Sequence, residues 1–236
     1  MIRPILWLLL FAIASLSCSP EFQETENQQI EKSALNETFL KKAITMPANP
    51  DNGYDNAGWM HNQILEAYTY NTPASLTGRI TALESIAQAD STFLSLAPNY
   101  TSVSTAQLNV ITQDNLTQVL SNSALSPASQ NSLKVLIDNI FDLESKASSY
   151  EVIYSLIIAF ESGIIENAAL PEAERKIILT TTSVARYAAF YDKKKGKDKD
   201  WRMSRGSLTS AIYGSQEGPC KAIIMSLAGG LYNSSN

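Results

Sequence analysis

The chain has 236 residues, a net charge of −5 and an isoelectric point near 5.0. That balance excludes a general nucleic-acid binder, whose surface must be basic. A single histidine excludes a zinc site built on two or three imidazoles, and two cysteines cannot staple a small disulfide scaffold.

The N-terminus carries the clearest pattern. Met1-Ile2-Arg3 is a short basic start, Pro4 to Ile13 is an uncharged apolar run, and Ser15-Leu16-Ser17-Cys18 follows. A basic start, an apolar run and a small-residue cleavage region make a bacterial export signal. The run falls short of the roughly 20 apolar residues a spanning helix needs. The segment before Cys18 resembles a lipobox, with serine at position 15 where leucine is commonest, as in Bacteroidetes lipoproteins. The expected organisation is a signal peptide over 1–17, a lipid-anchored tether over 18–40 and an all-α domain over 41–236, with Cys18 lipidated. The alternative is cleavage after Ala12-Ile13-Ala14, giving a periplasmic or secreted protein in which Cys18 and Cys220 could pair. The tether is polar and acidic, a composition that favours a flexible spacer; the alternative is an exposed N-terminal helix.

Residues 46–56 are dense in proline, asparagine, aspartate and glycine and read as a loop with several turns. Beyond it, apolar residues recur at helical spacing. Ala57, His61, Ile64, Leu65 and Tyr68 share one face. Leu76, Ile80, Leu83, Ile86 and Ala87 form the next stripe, and Leu133, Leu136, Ile137, Ile140 and Phe141 another. Tyr150, Ile153, Tyr154, Ile157, Phe160 and Ile164 continue the pattern, as do Ile177, Ile178, Val184, Ala188 and Tyr191. Ser75, Ser126-Pro127 and Pro171-Glu172 supply helix starts. The glycine- and alanine-rich stretch 206–230 reads as a closing helix pair. Alternating strand patterns are scarce, so the expectation is a single-domain, all-α bundle of about six to eight helices.

Candidate sites are few, and no catalytic constellation, metal site or cofactor motif stands out. His61 lies on an apolar face with Asp55 and Glu66 nearby in sequence. If Asp55 is the N-cap, Ala57, Gly58, His61, Ile64 and Leu65 turn inward. Asp55, Gly58, His61 and Asn62 are then structural residues, with His61 and Asn62 docking the preceding loop and Gly58 admitting another backbone. His61 should find its partners in that loop or in the C-terminal segment. Residues 51–56 offer oxygens that calcium could use, but without EF-hand order; turn chemistry accounts for them better. The lysine-rich run 193–200 reads as a solvated loop. Cys220, following Pro219, is either a buried small hydrophobe or a thiol activated by a helix N-terminus.

Asn49-Pro50 and Tyr54-Asp55-Asn56-Ala57-Gly58-Trp59-Met60-His61-Asn62 resemble a segment near the start of uncharacterised exported proteins of Bacteroidetes and Firmicutes, in which an N-P pair precedes a G-x-x-H-N helix start. Trp201 and the glycine- and alanine-rich tail are similar to the same group. The resemblance implies lineage and compartment and carries over no function. The leading expectation is a non-catalytic cell-envelope lipoprotein with a binding or structural role. Its partners would be the membrane, through the anchor, and an envelope protein or polysaccharide, with no nucleic acid and no cofactor. The alternatives are an envelope hydrolase using His61 with a nearby carboxylate, and a membrane-active secreted protein using its tail.

Overall fold

The computed structural model describes residues 47–68, 75–96, 98–104, 106–107, 109–110, 115–195 and 203–233. The signal segment, Cys18 and the tether lie outside them, as do residues 196–200 of the lysine-rich run and Trp201. Residues Ile44–Asn236 belong to one compact unit.

Among the described residues there are helices and no strands. They are α1 (Asp55–Ala67), α2 (Leu76–Gln88), α3 (Ser91–Leu96), α4 (Leu116–Ser121), α5 (Pro127–Ser145), α6 (Tyr150–Glu166), α7 (Glu172–Lys195), α8 (Arg205–Ser215) and α9 (Pro219–Asn233). The domain is an all-α bundle. Six-residue α3 and α4 are too short for a period of 3.6 to register in the sequence, which is why the helices outnumber the apolar stripes.

Local chemistry sets the helix boundaries. Ser75, Asn115 and Ser126 each accept a hydrogen bond from the backbone N–H three residues on, and Pro127 follows Ser126 at the first helical position. Asp55 does not cap α1. It is the first residue of the helix; Tyr54 holds the cap position without a side-chain capping bond. The α5–α6 turn closes as a Schellman motif, with Ser148 N donating to Leu143 O and Ala147 N to Glu144 O. Ala147 sits at φ 53°, where glycine is the usual residue.

α7 is the axis of the bundle and packs against α1, α6, α8 and α9. Every residue from Ile177 to Ala189 is buried, as expected of a helix enclosed on all sides. α8 and α9 form the closest helix pair. A Cβ on Gly214 would come within 2.6 Å of the Lys221 carbonyl oxygen, and one on Gly229 within 2.9 Å of Gly206 O. The small residues of the tail therefore let two backbones meet. Lys221, itself buried, donates to Thr101 O at 2.6 Å and Ser102 O at 3.1 Å, pinning the 98–104 loop to α9.

Candidate functional site

Two features stand out against the apolar core: a polar centre around α7 and an apolar face on α5 and α6 that the other described residues leave uncovered.

Arg186 is the only charged residue between Lys176 and Asp192, and its side chain is fully buried. A buried guanidinium has to be paired. Arg186 Nη2 donates to Asp55 Oδ1 at 2.6 Å and Glu161 Oε1 at 3.3 Å, Nε stands 3.3 Å from Glu161 Oε2, and Nη1 donates to Pro47 O. Burial alone would lower its pKa; the opposed charges of Glu161 and Asp55 outweigh that and hold it above the ordinary arginine value. Glu161, also fully buried, further accepts from Asn49 Nδ2 at 2.6 Å, Asn52 Nδ2 at 2.9 Å and Thr182 Oγ1 at 2.7 Å. Asp55 completes its bonding with Tyr187 Oη at 3.0 Å and Asn49 N at 3.2 Å. Tyr154 Oη donates to Ala48 O at 3.0 Å. These contacts strap residues 47–55 across α6 and α7.

The strap also answers the calcium reading. Asn49 Oδ1 accepts from Asp51 N, Asn52 Oδ1 from Tyr54 N, and Asp55 faces Arg186. These oxygens serve turns and an ion pair. Among the described residues no group of three acidic, histidine or cysteine side chains could hold a metal ion.

Gly58 and Asn62 join α1 to α7. Gly58 N donates to Ser183 Oγ at 2.9 Å, and Ser183 Oγ donates to Asp55 O at 2.9 Å. A Cβ on Gly58 would lie 2.4 Å from Ser183 O, so only glycine permits this approach. Asn62 Nδ2 donates to Tyr187 O at 2.9 Å. His61 and Asn62 therefore hold α7 and α9 rather than the preceding loop; docking that loop falls to Arg186 and Glu161. The apolar period singles out neither of them. The one signal the sequence carries is a lone charge on each of two apolar helix faces.

The His61 ring meets Asn62 Oδ1 at 3.1 Å through Nδ1 and Ser226 Oγ at 3.4 Å through Nε2. A serine, a histidine and an orienting amide in that order have the chemistry of nucleophile, base and support. Here the geometry serves packing, because Ser226 is 1% exposed and His61 4%. Burial lowers the imidazole pKa to about 4, with the Asn62 hydrogen bond opposing it. The orienting partner is an amide, not the carboxylate a hydrolase reading requires. Cys220 is a free, buried thiol donating to Phe93 O at 3.2 Å. Burial pushes its pKa up to about 12, the opposite of an activated thiolate.

The outer feature lies between α5 and α6. Val135, Leu136, Leu156, Ala159 and Phe160 supply the apolar lining of an open groove of about 490 Å³, and its remaining lining residues are asparagine and serine. Val135 is 48% exposed, and Val152, on the α6 flank, 40%. α6 buries only Tyr150, Ile153, Ile157 and Glu161 against the domain, so much of its apolar surface stays outside. No described helix is long and apolar enough to cross a membrane.

No family model, curated protein or solved structure matches this chain.

Proposed function

We propose that this chain is a non-catalytic cell-envelope lipoprotein, anchored through Cys18, that holds a protein partner on its α5/α6 face. The observation that carries the binding role is the uncharged apolar groove between these helices, with Val135 and Val152 substantially exposed. Contiguous apolar surface rimmed by polar groups is what protein-binding sites offer. The export signal and the Asn49–Asn62 resemblance support the compartment.

The rival readings draw no support from the geometry. His61 and Ser226 are buried, and the residues of the tail from Leu208 to Leu231 lie largely inside the domain as α8 and α9, out of reach of a bilayer in this fold. The binding reading is tested by native electrophoresis of solubilised membranes. The wild type should migrate in a complex larger than one chain, and the variant carrying Leu156→Asp and Phe160→Asp as a single chain. Identical migration of the two would refute it.

A further inference from the structure

The outward face of α6 carries an ordered seam. Val152, Leu156, Ala159 and Gly163 follow one another at spacings of four, three and four residues, which places them on one helix face, opposite buried Tyr150, Ile153, Ile157 and Glu161. Val152, Ala159 and Gly163 are exposed and Leu156 is half-buried. Among the described residues, a Cβ on Gly163 would meet nothing within 4 Å. Glycine inside a helix weakens it relative to alanine. At Gly58 a neighbouring backbone demands the glycine; at Gly163 nothing among the described residues does.

Resting on the reading of this face as a binding surface, we infer that its occupant is a second copy of the chain, paired α6 against α6 in antiparallel fashion. The order of side-chain sizes along the seam identifies the occupant. From Val152 to Gly163 the residues run large, large, small, small. Reversed and laid on itself, the seam sets Val152 against Gly163 and Leu156 against Ala159, so each projection meets a hollow. A parallel pair would press valine on valine and leave glycine facing glycine across a void. A two-fold pairing needs one self-complementary patch, and this seam is one. Charge agrees with the register: exposed Glu166, three residues beyond Gly163, falls opposite Ser149 of the second copy, so no like charges face each other there. The antiparallel arrangement also sets each helix N-terminus beside the other's C-terminus. Val135 and Phe160 of both copies come to the same side of the pair and extend the contact.

The footprint is small. The α6 seam of one copy, about 25 Å long and about 10 Å wide, presents roughly 250 Å², well below the roughly 800 Å² per partner of a standard interface. A contact of this size makes a dimer that dissociates on dilution.

Sedimentation of the purified full chain over about a hundredfold concentration range around micromolar tests this. The wild type passes from monomer to dimer. Gly163→Leu, which the open space around Gly163 accommodates within the monomer, fills the hollow that Val152 enters and weakens the dimer at least tenfold. Adding Val152→Ala to Gly163→Leu exchanges large for small and restores it. Circular dichroism of each variant verifies that the fold is kept. A wild type monomeric throughout, a dimer indifferent to Gly163→Leu, or a failure of Val152→Ala to restore association would each overturn the antiparallel pair. A monomeric wild type that still migrates in a larger, Phe160-dependent complex from membranes would overturn the second copy alone and leave the binding reading standing.

Discussion

Removing Glu161 should cost more than removing any apolar side chain of the same size. Glu161→Leu deprives a fully buried guanidinium of one of its two carboxylates and leaves Asn49 Nδ2 without its acceptor. Asn52 and Thr182 each keep a bond to Leu179 O and lose less. Breaking a buried ion pair from one side costs about 3–5 kcal/mol, and an orphaned buried amide adds about 1–3 kcal/mol. The sum, roughly 4–8 kcal/mol, is a large share of the roughly 5–15 kcal/mol by which domains are stable. Arg186→Met should cost about 3–5 kcal/mol on the same argument, because it strands Glu161 among neutral donors. The double variant removes both charges, so it should lose less than the sum of the two, with a coupling of about 2–3 kcal/mol. Urea unfolding at pH 7, followed by circular dichroism with all variants in one cycle, measures this; Glu161→Gln takes the place of Glu161→Leu if the latter does not fold. Strictly additive losses, or single variants costing under about 1 kcal/mol, would refute the idea that this pair holds the strap as a unit.

Two glycines in helices should respond in opposite directions. Gly58→Ala drives a methyl into the Ser183 carbonyl at 2.4 Å, and thermal unfolding should show a loss of about 1–3 kcal/mol. Gly163→Ala meets open space, and the dissociated monomer should gain up to about 1 kcal/mol. His61 makes stability depend on acid in a defined window. Its folded pKa of about 4 lies below the 6.5 of a free imidazole, so the unfolded chain takes the proton first. The imidazole then costs nothing above pH 6.5, and stability is lost as pH falls from 6.5 to 4, by about 3 kcal/mol. Wild type should lose that much more than His61→Gln across this window in denaturant titrations; parallel curves would show that His61 is not buried neutral. Cys18→Ser should shift the chain from the membrane to the soluble fraction, and a palmitate analogue should label wild type only; an unlabelled wild type would end the anchor reading.

The helices are legible because burial on one side writes a 3.6-residue period into the sequence. Leu133 to Ile140 and Tyr150 to Ile157 show it directly, and Ser75 and Ser126-Pro127 mark starts because capping is local chemistry. The polar centre is not legible. Glu161 and Asn49 are 112 residues apart, and Arg186 and Asp55 are separated by 131. No local rule pairs residues at such distances. Asp55 illustrates the confusion that follows. Its residue type suits an N-cap, but a buried guanidinium offers its carboxylate a stronger partner than a backbone amide does, and the helix starts one residue earlier than a cap would place it. His61 is readable as inward from its face, while its partner Ser226 lies 165 residues away. The Val152–Gly163 seam escapes because a period marks faces without saying which face the domain covers; the spacing counts Phe160 and Ile164 with the core stripe, yet both are only partly buried.

Site-specific photocrosslinking in intact cells tests the binding face most directly. A photoreactive residue at Val135 should yield one discrete crosslinked species, of twice the chain's mass, that disappears when Phe160→Asp is added. The same residue at Thr81, on the exposed side of α2, serves as the control. No crosslink at Val135, or a smear identical to that from Thr81, would contradict the assignment of α5 and α6 as the surface through which this protein acts.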